Sequence, residues 1–125
     1  MLGDRKAMAT VPVRSLEKAR PFYEATLGLE PLEATEPGVQ SYRAGDSAIV
    51  VYESAFAGTN RATAVTWQLG DDLDPVVRDL KSKGVKFEHY DLPGVTRDGD
   101  IHVAGHTRVA WFKDPDGNII NIGNY

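Results

Sequence analysis

The chain contains no cysteine, which excludes a disulfide framework, a thiolate nucleophile and a cysteine-ligated metal. It also lacks an excess of basic residues: 14 Lys and Arg stand against 18 Asp and Glu, a net charge of −4. With no basic stripe along the chain, nucleic acid is not expected as a partner. No apolar run approaches the roughly 20 residues of a membrane-spanning helix. The opening residues, Met1-Leu2-Gly3-Asp4-Arg5-Lys6, lack the apolar stretch of a secretory signal. The expectation is a cytoplasmic protein that engages neither nucleic acid nor membrane. What is present is ordinary: 125 residues, 42% hydrophobic and 26% charged, one domain able to bury roughly two-thirds of its unfolded surface.

Along the chain an order of elements repeats. Ala9 to Val13 alternates as a strand. Ser15 offers an N-cap to an amphipathic helix carrying Leu16, Ala19, Phe22 and Tyr23. Pro21 lies inside that pattern and predicts a kink or a late start, and Gly28 suits the residue after the helix. Gln40 to Arg43 and Ala48 to Tyr52 then flank Gly45-Asp46 as a hairpin. The second half begins with a strand over Ala64 to Leu69. Asp71 or Asp72 can cap a helix bearing Leu73, Val76, Val77 and Leu80, and Gly84 stops it. Val85 to Tyr90 reads as a strand, Asp91 to His106 as a long loop, and Thr107 to Phe112 as a strand. The pattern is βαβββ written twice, with modules at about residues 7–56 and 62–124 and the longer loop in the second.

The C-terminal segment Trp111-Phe112-Lys113-Asp114-Pro115-Asp116-Gly117-Asn118-Ile119-Ile120-Asn121-Ile122 carries the strongest local signal. Pro115 sets φ for a turn, Asp116 tolerates the next position and Gly117 permits positive φ, with aromatic and β-branched runs on both sides. It predicts a closing β-hairpin.

Three features combine here. They are the helix Leu-x-x-Ala-x-x-Phe-Tyr-x-x-x-Leu-Gly-Leu (Leu16 to Leu29), the Lys83-Gly84-Val85 step after the second helix, and Phe112-x-Asp114-Pro115-Asp116-Gly117-Asn118. Together they resemble the vicinal oxygen chelate superfamily of glyoxalase I, bleomycin-resistance proteins and extradiol dioxygenases, from about Met8 to Ile122. The resemblance implies an α+β fold in which two βαβββ modules of one chain curl mixed sheets around a cup. It also implies a ligand in that cup, often a divalent metal, and commonly a homodimer.

In the metal-dependent members the metal ligands lie on the first and last strands of each module. Those positions correspond here to Met8, Val51, Ala64 (Val65 in the other register) and Asn121. Methionine, valine, alanine and asparagine make a poor site for a divalent ion, and the neighbours Ala9, Val50, Val65 and Ile120 are apolar too. No metal and no other cofactor is therefore expected.

Strand alternation suggests what lines the cup instead. With Asn121 facing it, Ile119 and Gly123 lie beside it while Ile120 and Ile122 pack under the helices. The same parity sets Ile49, Val51 and Glu53 toward the cup, and Trp111 and Val109 on the strand before the last turn, with Phe112 in the core. On the Ala64 strand either Thr66 and Gln68 or Val65, Trp67 and Leu69 face inward. Tyr42 is a further wall residue, and Tyr90-Asp91 enter the long loop. Glu53, in an apolar cup, is a candidate general base. His102 and His106 stand four apart in a loop or strand, too far apart to share an ion. They read as solvent-facing loop residues, with His106 the better candidate because the loop enters a strand there and overhangs the cup.

The reading is a small-molecule binding protein whose metal-free cup takes an aromatic or hydrophobic molecule. One alternative is a metal-dependent glyoxalase-type lyase or isomerase, or a dioxygenase, with ligands displaced to Glu53, His102, His106, Asn121 and Asp91. Another is a metal-free enzyme using Glu53 or His106 as acid/base and Tyr42 or Tyr90 as oxyanion donors.

Overall fold

A computed structural model of the chain describes residues 1–34 and 36–125. By its internal contacts the chain separates into two compact units. The first comprises Met1–Arg61 with Pro115–Asn118, the second Ala62–Asp114 with Ile119–Tyr125.

The first unit holds strand β1 (Ala9–Val13), helix α1 (Leu16–Arg20) and the hairpin β2 (Val39–Ala44) and β3 (Ser47–Glu53). β3 is central, parallel to β1 and antiparallel to β2. The expected N-cap forms: Ser15 Oγ accepts from Lys18 N–H at 3.3 Å. The helix does not start late, since it already runs from Leu16 ahead of Pro21. Pro21 has no N–H to donate to the preceding turn, and the chain widens into a π-turn over Pro21–Thr26. Leu27 N–H accordingly reaches back five residues to the Phe22 carbonyl at 2.9 Å. Gly28 then takes the positive φ of 71° that ends the helix.

Val11 and Val13 of β1, Gln40 and Tyr42 of β2 and Ile49 and Val51 of β3 share one face of this sheet, as their register requires. All are buried, together with Leu16, Ala19 and Tyr23. Tyr23 and Tyr42 stack at 6.0 Å, and Tyr42 donates its hydroxyl to Glu24 at 2.9 Å. The helix-covered face therefore belongs to Ile49 and Val51, and Ala48, Val50 and Tyr52 take the other. This reverses the expected assignment, although the parity itself holds.

The second unit holds β4 (Thr63–Gln68), α2 (Leu73–Ser82), β5 (Phe87–Glu88), β6 (Thr96–Asp98), β7 (Ile101–Ala104), β8 (Thr107–Lys113) and β9 (Ile119–Gly123). β9 runs parallel to β4 and antiparallel to β8. β8 pairs in turn with β7 and β5, and β7 with β6. The repeat is visible in these pairings. A single bridge between Pro31 and Tyr42 beside β2 corresponds to the short β5 beside β8, so each unit writes the same order around a parallel pair.

Helix α2 begins at Asp72, but that side chain makes no cap hydrogen bond; a 3-10 turn over Gly70–Asp72 leads in instead. It ends as expected, with Gly84 at φ 90° and Val85 N–H donating to the Leu80 carbonyl at 3.0 Å. Its stripe Leu73, Val77 and Leu80 is buried, as is the sheet face Ala110, Phe112, Ile120 and Ile122, the pairing a helix over a sheet requires. The expected long loop is largely an extra hairpin, β6–β7. Gly99-Asp100 and Gly105-His106 are two-residue connections with Gly at positive φ, an arrangement that favours tight hairpins.

The Asp-Pro-Asp-Gly-Asn turn contributes its side chains to the first unit. Asp116 accepts from Arg14 at its backbone N–H (3.3 Å) and guanidinium (3.2 Å). Asn118, buried, donates to the Pro12 carbonyl at 2.7 Å. Gly58, at φ 72°, passes so close to Asp116 that an added Cβ would lie 1.8 Å from its carbonyl oxygen. Gly58→Ala is therefore expected to destabilise the protein by about 3 kcal/mol through overpacking and a strained φ. Gly45→Ala, whose Cβ meets nothing within 4 Å, should cost only about 1 kcal/mol; urea denaturation of both variants checks the difference.

Candidate functional site

The residues that gather in the second unit do so around β9. Asn121 stands at its centre, with Trp111 of β8 and Thr66 of β4 as its direct cross-strand partners. Partners in register share a face, so the three side chains stand together, opposite to Phe112, Ile120 and Ile122. Gln68 lies beside Gly123 on the same face, whereas Val65 and Trp67 pair with Ile120 and Ile122 on the helix side. Of the two registers left open in the sequence, this one sets Thr66 and Gln68 on the Asn121 face and Trp67 on the helix side. Ala64 sits at a shift in register between Thr63 and Val65 and is exposed.

Asn121 is 3% exposed. Its Nδ2 donates to the Ala110 carbonyl at 3.2 Å and its Oδ1 accepts from the Tyr125 hydroxyl at 3.1 Å. Trp111 donates its indole N–H to Thr63 Oγ1 at 3.2 Å. The indole is half-buried and forms the hub of an aromatic cluster. Its ring meets Tyr90 edge-on at 5.3 Å and His102 edge-on at 4.9 Å.

His102 is the main correction to the expected site. It is not a solvent-facing loop residue but lies on β7, opposite Val109, and is 1% exposed. Tyr90 N–H donates to its Nε2 at 2.9 Å, so a neutral ring carries its proton on Nδ1. That nitrogen has no partner of hydrogen-bonding geometry. Burial is the chief cause holding the imidazole below its ordinary value of 6.5. Burial, with the Glu88 charge second, raises the Tyr90 phenol. The aromatic wall is thus uncharged at neutral pH. The alternation Ile101-His102-Val103, bounded by Asp98-Gly99 and Gly105, was the signal that could have found this strand.

Nearby charges are paired with one another. Asp100 accepts from Lys81 at 2.7 Å and from His89 at 2.8 Å, and both hydrogen bonds, Lys81's first, hold its carboxyl below the usual range. Arg97, always a donor, reaches His89 Nδ1 at 2.6 Å. No local sequence pattern marks these four residues as a group.

Several expected residues have other duties. Glu53 accepts the Leu16 N–H at 3.0 Å, so it satisfies a free donor at the start of α1 and lies on the helix side with Val13. Tyr42 and Val51 belong to the first unit's buried core. Met8 is exposed just ahead of β1. His106 is an exposed residue of the two-residue β7–β8 connection, where its backbone carbonyl accepts from Asn124 at 2.9 Å.

The positions where related folds place metal ligands do not fit a divalent ion here. Met8, Val51 and Ala64 offer no suitable donor, and a single neutral amide oxygen from Asn121 does not make a divalent site. Among the described residues no group of three or more His, Cys, Asp or Glu side chains is placed to hold one. None of the described helices is long and apolar enough to cross a membrane.

A family model described as the Glyoxalase/Bleomycin resistance protein/Dioxygenase superfamily matches residues 6–122. Among solved structures, an integron cassette protein from the mobile metagenome of a Halifax Harbour sewage outfall is 20% identical, with a TM-score of 0.71, covering 97% of this chain and 100% of the other. A bleomycin-binding protein solved with bleomycin is also 20% identical, with a TM-score of 0.71 and coverage of 97% and 98%. The fosfomycin resistance protein FosX from Listeria monocytogenes is 16% identical, with a TM-score of 0.70 and coverage of 95% and 91%. At such identities these likenesses speak for the fold. A search of curated protein sequences found no match.

The buried histidine yields a pH prediction. Its folded-state pKa is depressed, so the unfolded chain binds more protons below pH 6.5. The stability tied to a neutral His102 is complete above that value and is lost as pH falls through it. His102→Gln should therefore lose less stability than the native protein between about pH 7.5 and about pH 5, read as the difference in urea midpoints.

Proposed function

The chain belongs to the Glyoxalase/Bleomycin resistance protein/Dioxygenase superfamily, and within it we propose that this protein binds a flat, uncharged aromatic or hydrophobic molecule without a metal. The observation that carries the reading is the wall of Trp111, His102 and Tyr90 beside the Asn121 face of β9. Aromatic rings offer large apolar area with little rotamer entropy to lose, and a few fixed polar groups orient the guest. Thr66 and Asn121 supply the polar groups, and the neighbouring charges, already paired, leave the wall neutral. The similar protein solved with bleomycin supports ligand binding in this fold.

A metal-dependent reaction is the weaker reading. FosX has been solved with Mn(II), but the corresponding positions here lack the donors such an ion needs. The acid/base alternative loses its main candidate too, since Glu53 is engaged at the start of α1. We propose a homodimer as the assembly.

Two measurements test this. Native mass spectrometry of untagged protein purified without chelator should show a dimer free of stoichiometric metal; one tightly held metal per chain would overturn the metal-free reading. Quinoline, flat and without a hydrogen-bond donor at neutral pH, should shift the Trp111 indole N–H resonance on titration. Trp111→Ala should weaken quinoline binding on the order of tenfold, the loss of one aromatic anchor, while the urea midpoint falls little. Equal losses in binding and stability would assign Trp111 to the core instead.

A further inference from the structure

Gly123 is a glycine without the usual reason for one. It lies within β9 and is not among the glycines at positive φ. A Cβ added there would instead collide with the ring of Tyr125, at 2.3 Å from Cε2 and 2.8 Å from Cδ2. The missing side chain lets a phenol lie directly against the strand. At the other end of that phenol, the hydroxyl donates to Asn121 Oδ1 at 3.1 Å. The amide's Nδ2 is committed to the Ala110 carbonyl, so what Asn121 offers an occupant is an acceptor.

The pieces amount to a flat seat: Gly123 as floor, Asn121 as acceptor, and Trp111 and Thr66 flanking Asn121 on the same face. Its present occupant is half in solvent. Tyr125 follows the end of β9, is 54% exposed, and among the described residues its side chain makes a single hydrogen bond, the one to Asn121.

We infer that Tyr125 fills an aromatic subsite of the proposed binding face, and that the subsite takes a ring bearing a hydroxyl or N–H donor, which enters by displacing the Tyr125 phenol. The inference rests on the reading of that face as a binding site and adds the ligand class. Asn121 Oδ1 selects for a donor, because a ring without one leaves a buried acceptor unpaired. Tyr125 acts as an internal competitor: the subsite binds only while the phenol is away, and its apparent affinity falls by that fraction.

The test uses 4-methylphenol, which reproduces the tyrosine side chain, and toluene, which lacks the hydroxyl. Both are titrated by NMR into the native protein, Tyr125→Ala and Tyr125→Phe. With the competitor removed, Tyr125→Ala should bind 4-methylphenol on the order of tenfold more tightly than the native protein does. It should prefer 4-methylphenol to toluene by roughly fivefold, one hydrogen bond's worth. Tyr125→Phe, which keeps the ring and loses its anchor, should fall between. Unchanged or weaker 4-methylphenol binding in Tyr125→Ala overturns the inference, as does equal binding of the two probes. If quinoline still binds the native protein in a Trp111-dependent manner, that failure leaves the reading of the face standing. If neither quinoline nor 4-methylphenol binds, both fall together.

Discussion

Strand β9 is buried along its whole length, and the chemistry of the second unit follows from that constraint. A strand with both faces covered must assign each side chain to one side or the other. Ile120 and Ile122 go to the helix side with Phe112 and Ala110. Ile119, Asn121 and Gly123 go to the other, beside Trp111 and Thr66. The one strongly polar member must then be satisfied where it stands, because an unpaired buried amide costs about 1–3 kcal/mol. A neighbouring carbonyl meets the donor and a tyrosine phenol the acceptor. A register slip of one residue would bury Asn121 among the isoleucines and turn Ile120 outward.

The two units share a topology but use it differently. In each, a parallel pair flanks an antiparallel neighbour, and a short stretch, Pro31 in one and β5 in the other, adds to the far edge. In the first unit the polar and aromatic residues serve the fold: Tyr42 stacks on Tyr23, and Glu53 and Ser15 take up free N–H groups at the start of α1. In the second unit the equivalent investment goes to an aromatic wall with one histidine nitrogen unpartnered. The same architecture thus carries a tyrosine-stacked, capped core in one copy and a half-buried aromatic cluster in the other.

Charge is distributed to match. The ionisable side chains around the wall pair with each other, Asp100 with Lys81 and His89, Arg108 with Asp74, and Lys113 with Glu88. Burial keeps His102 and Tyr90 in their neutral forms. A neutral, aromatic face with a small number of fixed polar atoms favours uncharged planar guests, since a charged one would be desolvated without a partner.

Much of this was readable from the sequence, because it depends on local rules. Strand alternation placed Asn121 and Trp111 together and Phe112 and Ile120 opposite. Turn chemistry marked the Asp-Pro-Asp-Gly segment, the serine cap marked the start of α1, and the glycine stops marked both helix ends. The motifs at Leu16 to Leu29, Lys83-Gly84-Val85 and Phe112 to Asn118 carried the resemblance to the family. Other features came only from tertiary structure. Alternation says that Ile49, Val51 and Glu53 share a face but not which face the helix will cover, since that depends on packing between distant segments. The burial of His102 needed a hairpin inside what read as a loop. Gly123 and Tyr125 are two residues apart in sequence, but that the ring lies back on the strand beside Asn121 depends on β9 already being seated between β4 and β8.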